Sequence, residues 1–242
     1  MTCKLCLFLC NWLCGDDAER VRVSLWDSAT AWERAQSNEW ELWSEESDGN
    51  RELIKQARAM QEADPEAAFR TFLEAAEGGS AWAMEMVGWH YDTGTAVAAD
   101  FGQAQEYYYR AICAGSWMAT IAYARLLAEH EYFDYCERVL DDGVRSDFVP
   151  ASFWLAWFRY KQSPTRETCR EIRPLLEFAA EEGHPGAKLM IARLMARGKF
   201  GIREIPGGFG RIMEIVSRFR SEPEAGDTGG LQRVASQVAA HE

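Results

Sequence analysis

Apolar positions through the middle of the chain return at steps of four, three and one, which on a 3.6-residue helix make a single stripe. Measured back from Gly79, Gly115, Gly143 and Gly183, the stripe holds Ala68, Ala104, Tyr132 and Ile172 eleven residues earlier. Phe72, Tyr108, Cys136 and Leu176 stand seven residues earlier, and Ala75–Ala76, Ala111–Ile112, Val139–Leu140 and Ala179–Ala180 stand four and three earlier. Each glycine predicts the end of a helix, because glycine accepts the left-handed conformation found just past a helix C-terminus. The next helix is expected to run from Ala83, Ala119, Ala151 and Ala187, which are spaced 36, 32 and 36 residues apart. Gly88, Ala124, Ala156 and Ala192 follow five residues into these helices, where a small side chain lets two helices approach closely. A period of this length predicts stacked helical hairpins, each burying its apolar face only against its neighbours.

Outside residues 51–220 the pattern changes. Residues 24–47 read as a helix carrying Trp26, Trp32, Trp40 and Trp43 among many acids, expected to cover one end of the stack, with a break at Ser47–Asn50. Ser221–Gly230 reads as a flexible linker, and LQRVASQVAAHE as a short amphipathic helix that docks or frays. Residues 1–23 form a short apolar, cysteine-rich segment. Cys3, Cys6, Cys10 and Cys14 would line one helix face, where they cannot close a tetrahedron around one metal ion. The apolar run of about ten residues is too short to span a bilayer. A lipoprotein or secretion signal, thiol acylation and simple docking of an apolar helix all remain open, and with them membrane association through residues 1–14.

Composition narrows the partners. Hydrophobic residues make up 48% of the chain, enough for a packed core, and the formal net charge of −12 argues against nucleic acid. The charge is uneven: residues 1–50 carry −6, and residues 188–220 carry +6. Cys113, Cys136 and Cys169 fall in three different repeats, so buried free thiols in a reducing compartment are expected, with the cytoplasm the first expectation and a membrane-anchored or envelope location the alternative.

SAWAMEMVGWHYDTGTAVAADFGQAQEYYYRAICAGSWMA, residues 80–119, resembles the Sel-1-like repeat, a relative of the tetratricopeptide repeat. Ala83, Gly88, Tyr91 and Gly94 fall on the family's first-helix pattern, with Val87 in place of Leu. Val97 and Asp100 match its loop, and Gln103-Ala104, Tyr107 or Tyr108, Ala111 and Gly115 match its second helix. His184–Ile202 is a second good match through Ala187, Ala192 and Gly198. The copies from Ala119 and Ala151 lack the loop glycine and the V-x2-D phrase, and the first is four residues short. The resemblance implies an all-α, right-handed superhelix of about five stacked antiparallel helix pairs, an α-solenoid that acts as an adaptor between proteins. Bacterial relatives are tied to envelope or exopolysaccharide assembly, signalling and host interaction. The disulfide in every repeat of some relatives has no counterpart in this chain.

No constellation points to catalysis, a cofactor or a bound metal. Asp92-Thr93-Gly94 spells the aspartic protease triplet, but it lies at a helix end and has no second copy. His90, His130, His184 and His241 are scattered, and His184 reads as a turn residue beside Pro185. Gly207-Gly208-Phe209-Gly210 lacks the lysine of a phosphate loop and reads as a long interhelical connection. One set of residues stands above this background. In arrays of this kind the first helices line the concave face, and the residue after each small position is Trp89, Arg125, Trp157 and Arg193. Glu85, Asp92, Tyr160 and Arg197 flank them one turn away. Tryptophan and arginine dominate binding energy at protein interfaces. The expected function is therefore a non-enzymatic adaptor that takes a partner protein along this face. A saccharide or small-molecule binder using the aromatic groove, and a membrane-anchored assembly factor, are the alternatives.

Overall fold

The computed structural model describes residues 29–221. Expectations on Cys3, Cys6, Cys10, Cys14, Trp26, His241, the membrane contact of residues 1–14 and the C-terminal helix lie outside the described residues. Within them the protein is an all-α solenoid, with no strand among the described residues. Residues 29–35 are helical. There follow α1 (Glu39–Glu45), α2 (Asp48–Met60), α3 (Pro65–Glu77), α4 (Ala81–Thr93), α5 (Phe101–Cys113) and α6 (Trp117–Glu129). The chain continues through α7 (Phe133–Arg145), α8 (Val149–Gln162), α9 (Arg166–Glu181), α10 (Pro185–Ala196), a 3-10 turn (Ile202–Glu204) and α11 (Ile205–Ser221).

Contacts divide the chain into two compact units. The larger spans Arg34–Pro164, and the described part of the smaller joins residues 29–33 to residues 165–221. In the larger unit each helix from α2 to α8 packs on the next, and the alternate helices α4, α6 and α8 also touch in succession. Contacts limited to near neighbours are the mark of a repeat stack. In the smaller unit α10 packs between α9 and α11.

The turns that join one helix pair to the next share one geometry. Gly79, Gly115 and Asp147 in the larger unit, and Gly183 in the smaller, have φ of 93°, 95°, 58° and 109°. The next residue donates its N–H five residues back: Ser80 to Ala75 O (3.1 Å), Ser116 to Ala111 O (2.9 Å), Phe148 to Gly143 O (3.1 Å) and His184 to Ala179 O (2.8 Å). This is the Schellman bond that satisfies the open carbonyls of a helix end. At three of the four turns the side chain of the same residue then caps the following helix, while Phe148 makes no side-chain cap. The Ser80 and Ser116 hydroxyls accept from the Ala83 and Ala119 N–H groups, each at 3.2 Å, and His184 Nδ1 accepts from Ala187 N at 3.2 Å. His184 is thus a buried helix cap rather than a plain turn residue. Ala83, Ala119, Ala151 and Ala187 are fully buried, as are Ala124, Ala156 and Ala192. Gly88 is buried under the Tyr108 ring, which a Cβ there would meet at 2.7 Å.

Several expectations are corrected. Gly143 does not end its helix: α7 runs on to Arg145, and Asp147 takes the left-handed position. Asp147 stands four before Ala151, as Gly79, Gly115 and Gly183 stand four before their alanines. In that frame Cys136 and Leu140 are the buried stripe, and Tyr132, placed in the stripe from Gly143, is instead 49% exposed. Gly143 is small for packing, since its Cβ would lie 2.9 Å from the Ala151 Cβ. Gly207–Gly210 are not a connection but part of α11, where a Cβ on Gly208 would run into the backbone N of Ala196 and lie 2.8 Å from Ala192 O. The helix expected over residues 24–47 breaks at residues 36–38, where the Ser37 hydroxyl donates to Arg34 O at 2.6 Å. The expected break at Ser47–Asn50 is the capped start of α2, with the Ser47 hydroxyl accepting from Asn50 N at 3.1 Å. Cys113 is exposed, while Cys136 and Cys169 are buried.

Gly208→Ala should lower stability by about 1–3 kcal/mol, because backbone rather than a mobile side chain blocks the methyl group. Gly210→Ala, with nothing within 4 Å of its Cβ, should raise stability by about 0.5–1 kcal/mol through helix propensity. Denaturant melts of the two variants check both signs.

Candidate functional site

Helices α4, α6 and α8 of the larger unit, which touch in succession, carry most of the residues singled out by register. Trp89 is 37% exposed and meets the His90 ring edge-on at 4.9 Å. His90 itself is buried, with Nδ1 3.0 Å from the Thr95 hydroxyl, and burial lowers its pKa. Arg125 is exposed on α6, and its charge acts on Asp92 of α4. Asp92 is half-buried, and its Oδ2 accepts from the Tyr108 hydroxyl at 3.2 Å. Burial raises the Asp92 pKa, against the opposing pull of that hydrogen bond and of Arg125. Trp157 on α8 is half-buried, its ring edge-on to Trp154 at 5.6 Å and to Phe158 at 5.0 Å, with Lys161 Nζ 5.0 Å above it. Tyr160, one turn further, is also half-buried.

Glu85 is placed differently from these. Its Oε2 accepts from the Ser116 hydroxyl at 2.8 Å, and burial, with Glu39 nearby, pushes its carboxyl up to about 7. Burial also raises Glu39, the first residue of α1, which packs on α4. Asn38 fixes that approach: its Nδ2 donates to Gly115 O at 2.7 Å while its Oδ1 accepts from Trp117 N at 3.1 Å. Asn50 makes a like contact one turn of the stack earlier, Nδ2 to Gly78 O at 3.1 Å. No local motif announces these contacts, since they reach 77 and 79 residues from Asn38 and 28 from Asn50.

In the smaller unit Arg193 is exposed on α10, and Arg197 is the half-buried residue that ends that helix. Gly198 follows at φ 66°, matching Gly94 at φ 68° after α4. His184 uses both ring nitrogens: Nδ1 accepts from Ala187 N, so Nε2 carries the proton that it shares with Glu33 Oε1 at 3.0 Å. A cleft of about 430 Å³ lies among α9, α10 and α11, lined by Ala180, Ile191 and Ile215 and by charges of both signs, Lys188 and Glu181 among them. Among the described residues no group of three His, Cys, Asp or Glu side chains is arranged to hold a metal, and no helix is long and apolar enough to cross a membrane. Burial pushes the Cys136 thiol up to about 12 and raises Cys169, so neither is a thiolate at neutral pH.

This arrangement matches several solved structures. A Sel1 repeat protein from Oxalobacter formigenes superposes with a TM-score of 0.55 at 17% identity, over 66% of this chain and 68% of that one. The fold is that of the Sel1-like repeats. A second Sel1-like structure, c5321, a protective antigen present in uropathogenic Escherichia coli strains, matches with a TM-score of 0.56 at 11% identity over 71% of this chain but only 38% of its own. The MamA RS-1 ArsTM double mutant matches with a TM-score of 0.54 at 15% identity, over 73% of this chain and 99% of that one. The sequence matches no family model and no curated protein. At the Sel1-like positions, Ala104 and Ala111 are fully buried, and Tyr91 stacks on Tyr107 at 5.9 Å.

The raised carboxyl of Glu85 gives a pH signature. A carboxyl that holds its proton more tightly in the folded state contributes stability that is fully present below its ordinary 4.5 and is lost as pH rises toward about 7. Glu85→Gln escapes that loss, so its stability relative to the native protein should rise by about 1–3 kcal/mol between pH 4.5 and 8. Urea melts across that range check the sign.

Proposed function

We propose that the protein is a non-enzymatic scaffold that binds a partner protein through the first helices of its repeats. In the larger unit Trp89 and Trp157 serve as apolar anchors and Arg125 as a partner for carboxylates, with Asp92 and Tyr160 beside them. In the smaller unit Arg193 and Arg197 take the same ionic role. The observation that carries this reading is that Arg125 and Arg193 occupy equivalent register positions, are exposed, and form no ion pair among the described residues. An arginine held out from a rigid helix, with its fork of donors unspent, supports recognition of a carboxylate. Glu85, whose carboxylate accepts from the Ser116 hydroxyl, is a flanking member of the set.

Trp89→Ala with Arg125→Ala should leave the melting temperature within about 2 °C, since both side chains reach solvent. Co-purification read by mass spectrometry should lose the partner recovered with the native chain by about tenfold or more. Equal recovery by the double variant would count against the proposal. Quenching of tryptophan fluorescence by oligosaccharides would move the assignment to a sugar-binding groove.

A further inference from the structure

A second surface, on α5 and the start of α7, carries aromatic side chains that the fold does not need to expose. On α5, Phe101, Gln105 and Tyr109 recur every four residues and so share one face. Phe101 stacks on Tyr132 at the start of α7, with ring centroids 5.6 Å apart and planes 13° apart, and meets His130 at 4.2 Å. One turn along, Gln105 Nε2 donates to the hydroxyl of Tyr123 on α6 at 3.0 Å. Tyr109, Tyr132 and Tyr135 are 59%, 49% and 58% exposed.

The neighbouring interval between α3 and α5 shows what the fold does when such a surface is to be closed. There the Glu77 carboxylate accepts from Arg110 and from the Tyr107 hydroxyl, each at 3.3 Å, and ties the two helices together. Between α5 and α7 no ion pair spans the interval among the described residues. The surroundings are acidic instead: residues 129–142 contain six acids and one base, Arg138, and Glu106 is exposed on α5. Glu137 and Asp141 pair with Arg159, leaving Glu131 and Asp134 exposed near the tyrosines in sequence.

We propose that this aromatic strip of α5 and α7 binds an extended, basic, proline-rich segment of another protein. Proline rings pack flat on exposed tyrosine and phenylalanine faces, and a polyproline II segment arrives already extended, losing little entropy on docking. Phe101 to Tyr109 spans about 12 Å of helix, enough for about four residues of such a segment at ~3.1 Å each. The acidic border supplies the charge complement for its arginines or lysines and disfavours nucleic acid. A saccharide would need several converging hydrogen-bonding groups, and the amide of Gln105 is already committed to Tyr123.

The test is calorimetric titration of the full chain, at physiological salt, with a synthetic ten-residue peptide of repeated Arg-Pro-Pro units. Parallel titrations use the same peptide with Glu replacing Arg, the same with Gly replacing Pro, and a maltooligosaccharide. The native protein should bind the Arg-Pro-Pro peptide, with affinity lowered about tenfold or more in Tyr109→Ala/Tyr132→Ala. The charge variant Glu131→Lys/Asp134→Lys, which touches no aromatic contact, should weaken binding as well. Trp89→Ala/Arg125→Ala should bind the peptide normally, which separates this surface from the face of the first helices. No binding by the native chain would overturn the proposal. Equal binding of the glycine peptide, unchanged affinity in the tyrosine variant, or binding of the oligosaccharide in place of the peptide would each do the same.

Discussion

Everything positional in this molecule depends on the turn that ends one helix pair and starts the next. A left-handed residue, a cap and a buried alanine follow in fixed order: Gly79, Ser80 and Ala83, then Gly115, Ser116 and Ala119. The turn leaves so little room that the next helix can carry only a methyl group or less where it meets its predecessor. Gly143 against Ala151 shows the limit, since even one added Cβ would make an unfavourable contact. Because the offset from turn to helix is constant, the same step along each first helix lands on Trp89, Arg125, Trp157 and Arg193.

The alanine spacing was legible in the sequence because it reports this turn directly. The two errors in the glycines have one cause. Glycine serves both where φ is positive and where two backbones approach, and the letter alone does not say which. Gly143 and Gly208 belong to the second class, with Ala151 and the α10 backbone against them. Asp147 could fill the left-handed position because aspartate is among the few residues other than glycine that tolerate it. Measuring from Gly143 then moved the apolar frame by four residues and put the exposed Tyr132 into the core.

The candidate site was legible only as far as periodicity reaches. Trp89 and Arg125 reach solvent because their helix positions fix it. Glu85 has an equally regular position, yet its surroundings come from Ser116 and from Glu39, far apart in the chain. The aromatic strip is illegible in the sequence for the same reason: Phe101 and Tyr132, 31 residues apart, meet only through the packing of α5 on α6 and of α6 on α7. The ionisable groups with shifted pKa follow from packing as well. Asp92 receives the Tyr108 hydroxyl, and the Cys136 thiol sits dry in the stripe beside Leu140.

Backbone NMR assignment of residues 133–151 tests the shared turn most directly. The account predicts helical carbon shifts through Gly143 to Arg145, a left-handed signature at Asp147, and a slowly exchanging Phe148 amide bonded to Gly143 O. Helical shifts that stop before Gly143, with Asp147 extended, would contradict it.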